Sequence, residues 1–452
     1  MNELSFKAKL IAILLACYVH GLTFYFSVSG LVGARTTLLT AIFQVTLVTI
    51  PFVLIVLTRA PRQRLFRVSF VELFYLAFVA MFLVDYMTIK DKSTFPENLL
   101  IYFGVYWTAL CLMRSLTLAQ FRLLCPASSA IAVFTSLILL VQVLTGGAQW
   151  ADNGGRLVAG TSSNPILVAY TGAYAFLSCL VMWLTGRYAG NPLLLVLMVP
   201  GFLVSSFAGT RSATLSVLVS AAFVVIYTVN LLMSSNKSAV RAISNFLLYS
   251  GVGLASLLML SPLSAATSSS KAEMSPVERA LTNGFQRIDI LFKLITGSGG
   301  GDRSIQGREA MYSGVSSLFF RSPIWGHGLY SYGSVHNAFM QVAIEFGIFG
   351  IITFVLPFLY LAFRVMQIAL SPAKQCAEAR QSPSQFVKSD YAMMTCFTVV
   401  FLFQSICLFS FHGDPYRNYL PIASVGLMIA FLRFSRRETQ AASQSQNFPP
   451  LL

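Results

Sequence analysis

The chain has 452 residues, of which 56% are hydrophobic and only 10% are charged. This number of charged residues is too small to cover the surface of a water-soluble protein of this length. The composition therefore predicts an all-α integral membrane protein. The net charge of +15 does not require nucleic-acid binding, because most basic residues fall in segments that the positive-inside rule assigns to the cytoplasm. The seven cysteines show no spacing typical of a metal site or a disulfide framework.

Apolar runs predict twelve transmembrane helices in one membrane domain. The first run has no small-residue cleavage pattern after it, so we interpret it as a span and not as a signal peptide. The predicted parts are residues 1–260 with nine spans, a large periplasmic loop at 261–337, three spans at 338–434 and a cytoplasmic tail at 435–452. The twelve predicted spans are 9–28, 38–57, 70–87, 99–113, 130–144, 165–184, 192–207, 213–233, 242–260, 338–363, 391–411 and 420–434.

The long outer loop is predicted to contain two helices. Ser275 and Glu278 flank Pro276 in a pattern typical of a helix start, and an apolar stripe then continues to about Ile295. The glycine-rich stretch at 297–301 lacks the Lys-Ser/Thr ending of a phosphate-binding loop, so it is interpreted as a hinge. A second helix is predicted from about 304 to 320. Loops of this length are usually functional or disordered, which makes this one a candidate part of a site.

Cationic side chains stand out on the predicted outer face. Arg156 lies in a polar loop before a span, and Arg211 lies in the short turn Gly209-Thr210-Arg211-Ser212 between two spans. Guanidinium groups suit phosphate oxygens, so several of them beside a histidine would bind a diphosphate and permit a proton transfer. The alternative is that each arginine contacts lipid phosphate or pairs with an acidic residue.

His336 is the strongest candidate for a general base. It precedes a predicted span beside Asn337, and a helix amino terminus favours the neutral imidazole that a base needs. His327 is interpreted as holding a tight turn, and His412 as pairing with a neighbouring aspartate. His20, in the first span, is expected to be satisfied inside the bundle.

Three acidic residues fall within predicted spans: Glu72, Asp85 and Glu345. Each needs an inward or interfacial position, because a charge facing lipid is costly. Glu345 follows His336 by nine residues, about two and a half helical turns, so it is expected at a different depth. Chains of buried acids are typical of proton-coupled transporters, but three scattered acids do not require one. A separate alternative is a transporter or flippase for a lipid-linked anionic glycan, in which the arginines bind and release the substrate without chemistry.

Several motifs together resemble the signature of the O-antigen ligase and polymerase superfamily. They are Ser322-Pro323-Ile324-Trp325-Gly326-His327-Gly328-Leu329, His336-Asn337-Ala338-Phe339-Met340-Gln341 and Glu345-Phe346-Gly347-Ile348-Phe349-Gly350. The turn that holds Arg211 is similar to the family's Ser/Thr-Arg turn, and 156–165 resembles an earlier outer-loop motif. The order of the motifs, the twelve predicted spans and the large loop before His336 fit as well.

The resemblance implies a GT-C-like glycosyltransferase of the bacterial inner membrane that uses neither a cofactor nor a metal ion. The donor would be an undecaprenyl-diphosphate-linked glycan on the periplasmic side, with His336 as the base and inversion at the sugar carbon. Arg211 and a loop arginine, Arg287 or Arg308, would hold the diphosphate. The remaining substrate-binding candidates are Arg156, Asn337 and Arg279.

The resemblance leaves the acceptor open between two kinds of enzyme. A polymerase would join the glycan to another lipid-linked repeat unit, and a ligase would join it to lipid A-core. The helix with Arg308 that leads into Ser322-Pro323 and Gly326-His327-Gly328 is slightly more similar to polymerases, including those of exopolysaccharides. Membrane lipids and other polysaccharide-assembly proteins are the further expected partners, and nucleic acid is not.

Overall fold

The structure, a computed structural model, describes residues 5–32, 37–57, 69–88, 105, 107–151, 156–159, 164–233, 303–329, 331, 335–371, 382–411 and 419–446. The predicted span at 242–260 and the predicted loop helix that starts at Ser275 lie outside these residues. The predicted span at 99–113 is described only in part.

The described chain is almost entirely helical, and one small antiparallel hairpin interrupts the helices. A 3₁₀ turn at Gly186–Tyr188 follows the helix Pro165–Leu184, and a π-helical turn at Ile351–Val355 joins the helices Ala338–Gly350 and Leu356–Ala369. The elements are α1 Phe6–Val32, α2 Thr37–Val56, α3 Phe70–Thr88, α4 Thr108–Ser115, α5 Leu118–Leu144, β1 Gln149–Ala151, β2 Arg156–Val158, α6 Pro165–Leu184, α7 Leu193–Ala208, α8 Arg211–Met233, α9 Arg303–Arg321, α10 Ala338–Gly350, α11 Leu356–Ala369, α12 Pro383–Val387, α13 Asp390–Phe411 and α14 Tyr419–Gln446.

Eight helical stretches in the described chain are long and apolar enough to cross a membrane, which confirms an all-α membrane protein. Two further apolar helices, Leu193–Ala208 and Leu420–Ser435, are shorter. The total of twelve spans stays a prediction. Helix α9, Arg303–Arg321, confirms the second helix predicted in the long loop.

Helices α6 and α7 pack backbone against backbone at two glycines. A Cβ on Gly172 would lie 2.6 Å from the Ser205 nitrogen, and a Cβ on Gly201 would lie 2.6 Å from the Phe176 nitrogen. Small residues allow this approach, which is a common way for helices to associate in lipid. The two helices therefore form a closely packed antiparallel pair.

Helix α5 begins twelve residues earlier than the predicted start at 130. Thr117 and Gln120 form a capping box at its amino end, and the helix then continues through Pro126. The sequence prediction used only the apolar run and missed the Thr-x-x-Gln signal that starts the helix.

The predicted span at 338–363 exists but does not form one straight helix. Gly347 has φ 59° and ψ −147°, a conformation that only glycine adopts readily, and it interrupts α10. The ring centroids of Phe339 and Phe358 lie 5.7 Å apart. A straight helix would separate these residues by about 28 Å, so the chain doubles back at Gly347.

Candidate functional site

His336 stands at the amino end of α10 with a strained backbone. Its side chain is exposed, and its φ of 55° makes it the one non-glycine residue with a left-handed backbone among those that the structure describes. Asn337 caps α10, because its side chain accepts a hydrogen bond from the Met340 nitrogen at 3.1 Å. Strain of this kind tends to occur at functional sites.

The segment 322–329, which we call the docking segment, fills the break in α10. The Pro323 carbonyl accepts a hydrogen bond from the Ile348 nitrogen at 2.8 Å. The His327 and Gly328 nitrogens donate to the carbonyls of Ile344 and Glu345, at 2.8 and 3.0 Å. Backbone groups freed by the break therefore find partners within the protein, which an interrupted helix at membrane depth requires.

Two glycines allow the docking segment to approach the break. A Cβ on Gly326 would overlap the Glu345 carbonyl, and a Cβ on Gly347 would overlap the Ile324 carbonyl. Both residues also have positive φ, so any other residue would be strained in its own backbone as well. The glycines of the motif thus have a structural reason that the sequence did not reveal.

Side chains hold the docking segment at its other edges. The Asp85 carboxylate, near the carboxyl end of α3, accepts a hydrogen bond from the Leu329 nitrogen at 2.5 Å. The His327 ring nitrogen Nε2 donates to the Leu318 carbonyl at 2.7 Å, which ties the segment to α9. The interpretation of His327 as a turn-holding residue is therefore confirmed.

Gln341 connects the site to a buried acid. Its side-chain oxygen accepts a hydrogen bond from the Val335 nitrogen at 2.8 Å, and its side-chain nitrogen donates to Glu345 at 2.7 Å. We expected Glu345 to lie apart from His336 at another depth, but one side chain links it to the residue that precedes His336. Sequence spacing missed this link because Gln341 reaches along the helix in both directions.

Arg156 and Arg211 lie at one end of the α6–α8 helices. Arg156 begins β2, whose strand packs on α6 and α7, and the hairpin was not predicted from the sequence. Arg211 begins α8, after a left-handed Gly209 ends α7. Because α6 and α7 are antiparallel neighbours, the start of α6 and the end of α7 lie together, and both arginines lie there.

Helix α13 contacts both the helix that begins at Arg211 and the helix that follows His336. It packs against α6, α8 and α10. Near its carboxyl end, Cys407 interacts electrostatically with Tyr170 of α6, and Tyr170 forms a side-chain hydrogen bond with Ser212, the neighbour of Arg211. Two residues further on, the ring of Phe409 lies 5.6 Å from that of Phe339 in the first turn of α10. The arginine end of α8 and the histidine end of α10 therefore flank the same end of α13, which we call the site end.

The three acids predicted within spans all have structural partners. Glu72 forms a buried ion pair with Arg114 at 2.6 Å. Asp85 accepts a hydrogen bond from the docking segment, and Glu345 accepts one from Gln341. The described part of the chain therefore gives each acid a local role. None of these contacts links one acid to the next in the manner of a proton path.

The roles expected for the loop arginines and for His412 stay predictions. Arg279, Arg287 and His412 lie outside the described residues, and Arg308 is described only as part of the α9 backbone. His20 is buried and stacks on Tyr174, with ring centroids 4.1 Å apart. In the described residues, no group of three or more His, Cys, Asp or Glu side chains is placed to hold a metal ion.

Comparison with known proteins adds no family assignment. No protein-family model matches the chain, and no curated protein matches it either.

Proposed function

We propose that this protein is a glycosyltransferase of the bacterial inner membrane, with twelve spans and a periplasmic active site. It transfers a glycan from an undecaprenyl-diphosphate-linked donor to an acceptor hydroxyl, and it acts as a polymerase of O-antigen or exopolysaccharide repeat units. The observation that carries this proposal is His336, which is exposed and has a left-handed backbone at the start of a helix that Asn337 caps.

The proposed reaction is a displacement at the sugar carbon. His336 removes the proton from the acceptor hydroxyl, and the resulting oxygen attacks the anomeric carbon while the bond to the diphosphate breaks. Undecaprenyl diphosphate leaves, and the configuration inverts. Arg211, with Arg287 or Arg308 of the long loop, stabilises the charge that develops on the leaving oxygen, and Arg156 and Arg279 contribute to binding the diphosphate.

The site-end geometry supports this assignment of roles. The Arg211 turn and the His336 helix start flank one end of α13, so a diphosphate on the first and a hydroxyl on the second would approach the same region. The local roles of Glu72, Asp85 and Glu345 give no support to proton-coupled transport. A flippase, in which the arginines bind and release the lipid-linked substrate without chemistry, is separated from the transferase by the release assay below.

The test uses purified protein in lipid nanodiscs, a synthetic lipid-diphosphate oligosaccharide and an acceptor, with release of undecaprenyl diphosphate as the readout. We expect His336→Asn to abolish release, because asparagine tolerates the left-handed backbone but is no base at neutral pH. His336→Gly should likewise be inactive and should regain activity with added imidazole. The control is His327→Gln, which keeps a donor for the Leu318 carbonyl and should retain most of the activity.

Near-normal release by His336→Asn would refute the assigned base, and no release by the unmodified protein with any acceptor would favour the transporter. The acceptor is identified in the same assay. A polymerase extends a lipid-linked repeat unit, whereas a ligase transfers the glycan only when lipid A-core is supplied.

A further inference from the structure

We infer that Gln341 and Glu345 are positioning residues that hold His336 in its left-handed conformation; the inference rests on the function proposed above. Both side chains are buried, with exposed fractions of 4% and 1%. Neither residue would touch the substrate. Their effect on the reaction would act through the backbone on either side of His336.

The backbone before His336 is fixed by Val335. The Val335 nitrogen donates to the Gln341 side chain at 2.8 Å, in a fully buried environment. The Val335 side chain packs with Val315 of α9 and Ile344 of α10 in a small separate hydrophobic cluster. Both the backbone nitrogen and the side chain of Val335 are therefore held in place.

The backbone after His336 is fixed by Asn337. Its side chain caps α10, and its carbonyl accepts a hydrogen bond from the Gln341 nitrogen at 2.8 Å. Gln341 thus bonds the residue before His336 through its side chain and the residue after it through its backbone. A left-handed backbone at a non-glycine residue costs roughly 1–2 kcal/mol and persists only where the surroundings hold it, as this two-sided arrangement does.

Glu345 determines which way the Gln341 amide points. A carboxylate accepts hydrogen bonds and so faces the amide nitrogen, which leaves the amide oxygen for the Val335 nitrogen. Without Glu345, the amide could rotate and present its nitrogen to the Val335 nitrogen, where no hydrogen bond would form. The acid therefore acts on His336 through the orientation of a single amide.

The first test removes the hydrogen-bond acceptor of the Val335 nitrogen while keeping the length of the Gln341 side chain. Gln341→Met should lower kcat for transfer by about tenfold to a hundredfold with little change in the KM for the donor, because the base is misplaced while donor binding is retained. The matched control is Gln142→Met, which removes another buried glutamine, bonded to the Ser27 carbonyl, and should stay within about twofold of the unmodified protein.

The second test exchanges the two polar groups. Gln341→Glu alone places two carboxylates face to face and should be impaired. Combined with Glu345→Gln, the introduced carboxylate can accept hydrogen bonds from both the Val335 nitrogen and the introduced amide. Recovery of kcat in this double variant to within about threefold of the unmodified protein is expected, which a purely volume-filling role would not produce.

Hydrogen–deuterium exchange provides a readout that does not depend on activity. The peptide that contains Val335 should exchange faster in Gln341→Met and return to its original rate in the double variant. Unchanged exchange in Gln341→Met, activity within about twofold of normal, or a double variant no better than its parents would each overturn the inference. If the unmodified protein transfers no glycan, the proposed function fails, while the exchange rates still decide the positioning role.

Discussion

The rings of Phe339 and Phe358 lie 5.7 Å apart, although the two residues are nineteen positions apart in a stretch that the sequence predicts as one helix. The turn at Gly347 brings them together, and the docking segment occupies the break. His336 thus stands at the start of a broken helix that is held by the docking segment and by Gln341, and Asp85 of α3 in turn holds the docking segment.

Gly347→Ala should disrupt the docked break. An added Cβ would overlap the Ile324 carbonyl and would also force an L-residue into a backbone conformation that it rarely adopts. We expect the free energy of unfolding to fall by about 1–3 kcal/mol, seen as a lower thermal midpoint in detergent. Gly147→Ala is the control, since its φ is not positive and its nearest neighbour atom lies 3.8 Å away. An equal midpoint for the two variants would contradict the prediction.

Asp85 should matter as a hydrogen-bond acceptor and not as a charge. Asp85→Leu leaves the Leu329 nitrogen without its partner, at a cost of about 1–3 kcal/mol, and should speed deuterium exchange in the docking segment. Asp85→Asn retains an acceptor oxygen and should exchange nearly as slowly as the unmodified protein. Fast exchange in the asparagine variant would instead indicate that the negative charge is required.

Removing only one partner of the Glu72–Arg114 ion pair should lower the free energy of unfolding. The two side chains are only 7% and 8% exposed. Arg114→Met leaves the buried Glu72 carboxylate without its ion-pair partner, so it should destabilise the protein by about 3–5 kcal/mol. The double variant with Glu72→Met should recover most of that loss in a thermal unfolding assay. The control is Arg122→Met, which breaks a more exposed 3.6 Å pair with Asp390 and should cost under about 1 kcal/mol. A double variant as unstable as Arg114→Met would refute this account.

Trp325 should lie in the lipid interface. Its side chain is 75% exposed and its ring lies 4.9 Å from that of Phe349, on the apolar exterior of α10, and tryptophan favours the membrane–water boundary. Lipids brominated near the headgroup should quench fluorescence in the unmodified protein more than in Trp325→Phe, and the difference spectrum isolates Trp325 from the other three tryptophans. Quenching of that difference signal by aqueous iodide but not by brominated lipid would place the segment in water.

Much of the fold could be predicted from apolar runs alone. The ranges predicted for α1, α2, α3, α6, α8 and α13 agree with the structure to within a few residues at most ends, because lipid obliges each long apolar run to form a helix. The early start of α5 shows the weakness of this reasoning, since a polar capping box extends a helix without any apolar signal. The β1–β2 hairpin pairs only three residues on each strand, which is too short to give a usable periodicity.

The sequence by itself determined the kind of protein and the residues to examine. Composition requires a membrane protein, and the positions of His336, Asn337 and the nearby glycines mark one helix start as unusual. Only the tertiary structure decided how that helix start is built. The hydrogen bonds from the Val335 nitrogen to Gln341 and from the Leu329 nitrogen to Asp85 join residues whose spacing gives no helical or strand period. The break at Gly347 depends on a backbone conformation that residue type permits but does not dictate. Such contacts form only when separate segments pack together, so the chain alone does not display them.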